Sequence, residues 1–366
     1  MKSAVIAKSA KNLLSAVEIN VNRLADRQFI PAQQEFLAIE TSSVCNLKCV
    51  FCAYTKKTTP KISMTNAFFA DCVEQAVAMG YRRFTLTPNT GDVFMDRHIF
   101  DKMELLDAHP GVQDYSFYTN LTIPKPKDVD RLMRMKKLQH VNVSVYGHDA
   151  ASFVAITKST EKVYRRLLTN LDVLLNHADP AKRNLDIAVR STRDMPRKPS
   201  TDLLQLLDRF KQAGIAVRLS HLYHDWGGQV SEADTKGLAI EFSDSRKIYK
   251  NGACALLFTG MQVMATGVVH ACACVDVDAQ LEIGNLNEKP LREIISTQNP
   301  AYMALIEEQQ RGLFKPVCQS CGFYKSIYHN RSMYRKDGIA TQSIDEFKAR
   351  LDAKTGAAAP LAEAAE

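Results

Sequence analysis

The chain of 366 residues lacks any run of about 18 apolar residues, the length a membrane-spanning helix requires. Its opening stretch sets Lys2 and Lys8 around only Ala4, Val5, Ile6 and Ala7, a patch too short for the apolar core of a secretory signal. Long blocks of one charge are missing too. Lys and Arg number 47 against 40 Asp and Glu, and the resulting net charge of +7 is interspersed along the chain. It reads as a solvated surface, with no basic stripe to favour nucleic acid as a partner. No internal repeat is present. These absences predict a cytoplasmic protein without a membrane partner. Apolar residues make up 46%, enough at this length for a sizeable core without covalent staples. What the chain does have is nine cysteines. In a reducing compartment they point to metal ligation or catalysis rather than disulfides.

Short apolar runs recur at 35–43, 83–88, 114–118, 140–146, 185–190 and 216–220. The gaps between them hold helix-like stretches at 65–79, 99–106, 129–136, 164–175 and 203–213. Alternating strands and helices predict an α/β fold with a parallel sheet, here a partial six-stranded (β/α) barrel, with ligands at the C-terminal ends of the strands. After Trp226-Gly227-Gly228 the alternation stops, and from Cys254 the chain is cysteine-rich. The expected division is a helical lead-in over 1–34, the barrel over 35–228, a linker over 229–253, a small cysteine-rich domain over 254–335, and a C-terminal helix with a disordered Ala-rich tail over 336–366.

Cys45-Asn-Leu-Lys-Cys49-Val-Phe-Cys52 follows the first strand directly. Three thiolates on one tight loop can hold three irons of a cubane and leave the fourth open to a small molecule, and soft sulfur suits such a cluster. A closed structural zinc site would need a fourth ligand nearby. This segment resembles the radical S-adenosylmethionine (SAM) superfamily, and the resemblance runs from about residue 35 to 325. It implies that Cys45, Cys49 and Cys52 hold a [4Fe–4S] cluster, that SAM chelates the open iron, and that a 5′-deoxyadenosyl radical takes hydrogen from a substrate. It also implies an external reductant such as flavodoxin or ferredoxin.

Further segments stand where the family places its SAM contacts. Thr90-Gly91-Asp92 replaces the usual Gly-Gly-Glu, with Asp for Glu a departure. Asn120 ends the third strand, and Ser144-Val-Tyr146-Gly147 resembles an "S-x-Y-G" segment. Arg190 ends the fifth strand, where it could grip the SAM carboxylate. Phe51 is expected near the adenine. His221, Tyr223, His224, Asp225 and Trp226 follow the sixth strand, a place for substrate contact or for packing on the cysteine-rich domain. Lys56, Lys57 and Lys61 read as a solvated charge run, and Cys72 as a core residue.

Cys254, Cys272, Cys318 and Cys321, with Gly284-Asn285-Leu286 between them, resemble a SPASM/twitch auxiliary domain. No cysteine follows Cys321, so the shorter version with one auxiliary [4Fe–4S] cluster is expected. Cys274 is either an alternative to Cys272 as ligand or a free thiol able to donate hydrogen. The expected function is oxidation (dehydrogenation) of a small polar, carbohydrate-like substrate, with Cys274 too near the auxiliary cluster to face it. The alternatives are an epimerase, a peptide-modifying enzyme, or a non-catalytic iron–sulfur or zinc protein. The residues before the first strand are too few for a leader-binding winged helix, which favours the small substrate over a peptide.

Overall fold

The computed structural model describes residues 2–32, 36–87, 89–177, 179, 184–243, 248–331 and 338–355, with the backbone alone for 2–11. Six strands lie parallel in chain order: β1 (Phe36–Ile39), β2 (Arg83–Thr85), β3 (Asp114–Thr119), β4 (Leu138–Tyr146), β5 (Leu185–Arg190) and β6 (Ala216–Ser220). This is the predicted α/β architecture. Glu35, Pro88 and the tail beyond Thr355 fall outside the described residues.

The helices cover the outer face. The lead-in is α1 (Lys2–Leu24). Then come α2 (Asn66–Ala78), α3 (Ile99–Ala108), α4 (Pro126–Leu132), α5 (Ala150–Thr157), α6 (Glu161–Leu175) and α7 (Asp202–Gln212). Capping sets several starts: Thr65 accepts from Phe68 N–H, Asp149 from Ser152 N–H and Thr201 from Leu204 N–H. The helix α5 was not predicted, because Ala-Ala-Ser-Phe-Val-Ala-Ile-Thr is short and has no clear period. It matters to the site. Its last carbonyls, on Ile156 and Thr157, accept from Val50 N–H (2.9 Å) and Lys48 N–H (3.0 Å), which pins the first cysteine loop.

Strand β4 shows how the pattern divides core from cleft. Val141, Val143 and Val145 are fully buried, each contributing about 1.5–3 kcal/mol. The alternate residues His140, Asn142 and Ser144 line a cleft on the opposite face.

The cysteine-rich segment does not form a separate sheet. Its strands β7 (Gln262–Val263), β8 (Val268–His270) and β9 (Glu282–Asn285) extend the barrel sheet, since β7 pairs in parallel with β1. The longer helices that follow are α8 (Pro300–Gln310) and α9 (Ile344–Thr355). Among the described residues no helix is long and apolar enough to cross a membrane.

Candidate active site and iron–sulfur centres

A cleft of about 850 Å³ opens at the C-terminal ends of the strands and runs down the inner face of the sheet. Cys45, Cys49 and Cys52 line it together. Leu47 N–H and Tyr54 N–H donate to the sulfurs of Cys45 and Cys52, both at 3.5 Å. Burial pushes the Cys45 thiol up to about 12 and the Cys52 thiol to about 11, and holds Cys49 well above its ordinary value. A compensating positive charge, such as bound iron would supply, favours the thiolates against this burial.

The turn Thr90-Gly91-Asp92 packs against the start of the cysteine loop. A Cβ on Gly91 would lie 2.7 Å from the Ser42 carbonyl oxygen, and its φ is +126°, so only glycine fits. Asp92 is buried and fully engaged. Its carboxylate accepts from Phe94 N–H (3.0 Å), from the Thr119 hydroxyl (3.1 and 3.0 Å) and from Asn120 N–H (2.7 Å). Burial raises its pKa to about 6 against these hydrogen bonds. The side chain braces β2's turn to the end of β3, and its oxygens have little capacity left for an ammonium. Asn120 is likewise committed, donating to Asn46 Oδ1 (3.0 Å) beside the Cys45 sulfur.

Other groups in the cleft lack partners. Arg190 makes no side-chain hydrogen bond or ion pair among the described residues, and its charge acts on Cys49 and Cys52. Thr90 Oγ1, His224 Nδ1 and Trp226 Nε1 are buried without partners, and all three residues line the cleft. Burial, then the charge of Arg190, lowers the His224 pKa to about 4, so it is neutral at pH 7. Buried polar groups without partners are costly, and here a ligand can satisfy them. Three soft thiolates, an unpaired guanidinium and these orphaned atoms fit a cluster with SAM.

Phe51 stacks between Tyr146 (5.0 Å) and Tyr223 (4.6 Å), forming an aromatic wall beside the cysteines. The segment after β6 divides. Tyr223, His224 and Trp226 line the cleft, whereas His221 is exposed. His224 also packs on Phe323 (5.1 Å) of the cysteine-rich segment, the second of the two places expected for it. The lysine run is corrected for Lys57. Far from solvated, it is 7% exposed, and its ammonium donates to the Val277 carbonyl near the buried Glu40. Lys56 pairs with Asp234 (2.7 Å) and Lys61 sits over the Tyr54 ring. Cys72 is fully buried in α2.

A second, tight pocket is lined by Cys254, Cys272, Cys318 and Cys321 with apolar neighbours. Lys325 N–H donates to Cys254 Sγ (3.4 Å), Phe323 N–H to Cys321 Sγ (3.3 Å) and the Gln309 amide to Cys318 Sγ (3.4 Å). Such donors stabilise thiolate charge around a cluster. Cys274 does not line this pocket. It is partly exposed and lines the main cleft, and hydrogen bonding with it, together with burial, raises the Cys272 thiol well above its ordinary value. Cys274, expected to lie too near the auxiliary centre to face a substrate, thus stands beside Cys272 and also opens into the main cleft. The chain bends at residues 273–275, so two side chains that would share a face on a straight strand open into different spaces.

An α/β sheet with an open three-thiol loop above a polar cleft defines a protein that pairs an iron–sulfur cluster with a small molecule. The chain belongs to the radical SAM superfamily, whose sequence model matches residues 39–225. The SPASM iron–sulfur cluster-binding domain matches residues 254–322. The protein is a radical SAM enzyme, and its cofactors are [4Fe–4S] clusters and SAM. Its fold is similar to BtrN in complex with AdoMet and 2-DOIA, at 14% identity over 83% of this chain and 99% of that one, with a TM-score of 0.54. It is also similar to Streptococcus suis SuiB bound to the precursor peptide SuiA, at 14% identity over 89% and 77%, TM-score 0.51. A third likeness is native anSMEcpe with bound AdoMet, at 14% identity over 88% and 97%, TM-score 0.51. No curated protein sequence matches the chain.

Proposed function

We propose that this enzyme abstracts a hydrogen atom from a small polar, carbohydrate-like substrate and returns one from Cys274, so that the net reaction is epimerisation at carbon. The observation that carries this reading is the position of Cys274, a thiol outside the four-cysteine pocket that lines the same cleft as Cys45, Cys49 and Cys52. In this reading those three residues hold the SAM-binding cluster, and Cys254, Cys272, Cys318 and Cys321 hold the auxiliary one. The bound cluster and SAM supply the 5′-deoxyadenosyl radical, with an external reductant such as flavodoxin or ferredoxin as electron source.

The residues of the chain bind, orient and shield. Arg190 is suited to pair with the SAM carboxylate. Thr90 and Gly91 present the turn to its ammonium while Asp92 braces that turn. Ser144 is free to reach the cofactor from β4, and the Phe51–Tyr146–Tyr223 wall excludes water on the adenine side. Cys274 gives its hydrogen to the substrate carbon: the S–H bond breaks and a C–H bond forms. Its sulfur then regains one electron and one proton before the next turnover, next to the pocket that would hold a one-electron centre.

Dehydrogenation is the second reading, favoured by that same pocket, because Cys272 touches Cys274 at the cleft wall and offers an electron an exit from the substrate. Turnover in deuterated water separates the two. Epimerisation puts deuterium on the abstracted carbon, and Cys274→Ser abolishes that label. Product formation without label, surviving in Cys274→Ser, would overturn the first reading in favour of the second.

A further inference from the structure

We propose that the lower half of the cleft, away from the cysteine loop, is a built subsite for the uncharged, polyhydroxylated part of the substrate that lies remote from the reacting carbon. The inference rests on the reading of this cleft as the active site and adds where the substrate's hydroxyls bind and which residues recognise them.

Register brings the residues together. Thr85 pairs with Ser116, Ser116 with His140, Asn142 with Asp186, and Ala188 with Arg218. Side chains two apart on a strand share a face, and Ser116, His140, Asn142, Asp186 and Arg218 all line the cleft. They sit below Ser144 and Arg190, which are further along β4 and β5 toward the C-terminal ends.

Their hydrogen-bonding capacity is unspent. Asn142 is 8% exposed, yet its amide has no partner among the described residues, and the Ser116 hydroxyl has none either. Asp186 Oδ1 is buried without a partner. A buried carboxylate oxygen left without a partner, as at Asp186, costs stability. A ligand that completes its hydrogen bonds removes that cost.

The charges decide which ligand. Asp186 Oδ2 pairs with Arg218 (2.7 Å) and lies 3.7 Å from His140. The acid and the guanidinium thus neutralise each other, and a phosphate or carboxylate would meet Asp186 as well as Arg218. Free groups remain in every role: the amide donates and accepts, the serine does both, and the aspartate oxygen only accepts. Neighbouring hydroxyls of a sugar or cyclitol match that set, because each can donate to one group and accept from the next. Tyr118, which lines the cleft and is 48% exposed, offers a ring face for the apolar side of such a ligand.

The test is saturation-transfer NMR on the anaerobically reconstituted enzyme with three probes: methyl glucoside, glucose 6-phosphate and trialanine. The methyl glucoside is expected to bind in preference to the other two. Ser116→Ala and Asn142→Ala should each weaken it roughly 3–10-fold, the worth of one neutral hydrogen bond, with SAM affinity unchanged as the control for an intact site. Absence of glycoside binding, preference for the phosphate or the peptide, or unchanged affinity in both variants would overturn the proposal. Failure of the active-site reading looks different: the wild-type enzyme would then form no 5′-deoxyadenosine from SAM, whatever the glycoside does.

Discussion

Cys272 and Cys274 stand two residues apart and open into different spaces, Cys272 into the pocket shared with Cys254, Cys318 and Cys321, and Cys274 into the cleft shared with Cys45, Cys49 and Cys52. Hydrogen bonding with Cys274, together with burial, holds the Cys272 thiol well above its ordinary value. Their replacements are therefore expected to differ in kind. Cys272→Ser should drop the reconstituted protein from about eight irons to about four, the content of one cubane. Cys274→Ser should keep about eight and change the fate of the substrate radical. Iron analysis beside product analysis checks this, and loss of iron in Cys274→Ser would make it the ligand.

The first centre should come apart independently. Replacing Cys45, Cys49 and Cys52 together by Ala is expected to leave about four irons and no SAM cleavage, because the two cysteine groups occupy separate pockets. Retained 5′-deoxyadenosine formation in the triple variant would show that the loop is not the site of cleavage.

Asp92 is expected to act through the turn it braces. Asp92→Ala strands Phe94 N–H, the Thr119 hydroxyl and Asn120 N–H, and an unsatisfied buried group costs about 1–3 kcal/mol. Stability and SAM affinity should fall together, as read by urea denaturation of the cluster-free protein and by SAM titration of the reconstituted one. Weaker SAM binding at undiminished stability would assign the carboxylate to the ammonium instead.

The pH response of His224 has a defined sign. Its pKa falls to about 4 in the fold, chiefly by burial, against an ordinary value of about 6.5. As pH drops from about 6.5 to 4, the unfolded chain takes up a proton there and the folded chain does not, so stability is lost across that window. The loss approaches about 3 kcal/mol at its acid end, at 1.36 kcal/mol per pKa unit. His224→Gln should flatten this limb in urea midpoints measured from pH 7 to 4.5, and an unchanged limb would mean that the ring is solvated.

The parts legible in the sequence are those whose physics is local. The three-cysteine loop is legible because its ligands lie within one turn of chain. Strand β4 is legible because Val141, Val143 and Val145 alternate with His140, Asn142 and Ser144, which separates its core face from its cleft face. The helix α5 escaped because eight residues of mixed propensity carry too little period, although its end anchors the cysteine loop. Nothing in a run of lysines reveals that Lys57 turns inside, where its ammonium meets the Val277 carbonyl, 220 residues along the chain.

The amino-acid sequence by itself determined the α/β class and the identity of the sulfur-rich segments, since periodicity and ligand spacing are properties of a few consecutive residues. Only the tertiary structure decided which thiol faces which space, that β7 joins β1 in one sheet, that Asp92 is spent on bracing, and that Ser116, Asn142 and Asp186 share a neutral floor. Each of these depends on the register between strands distant in the chain, and a side chain's partners across that register are set by the packing of the whole sheet.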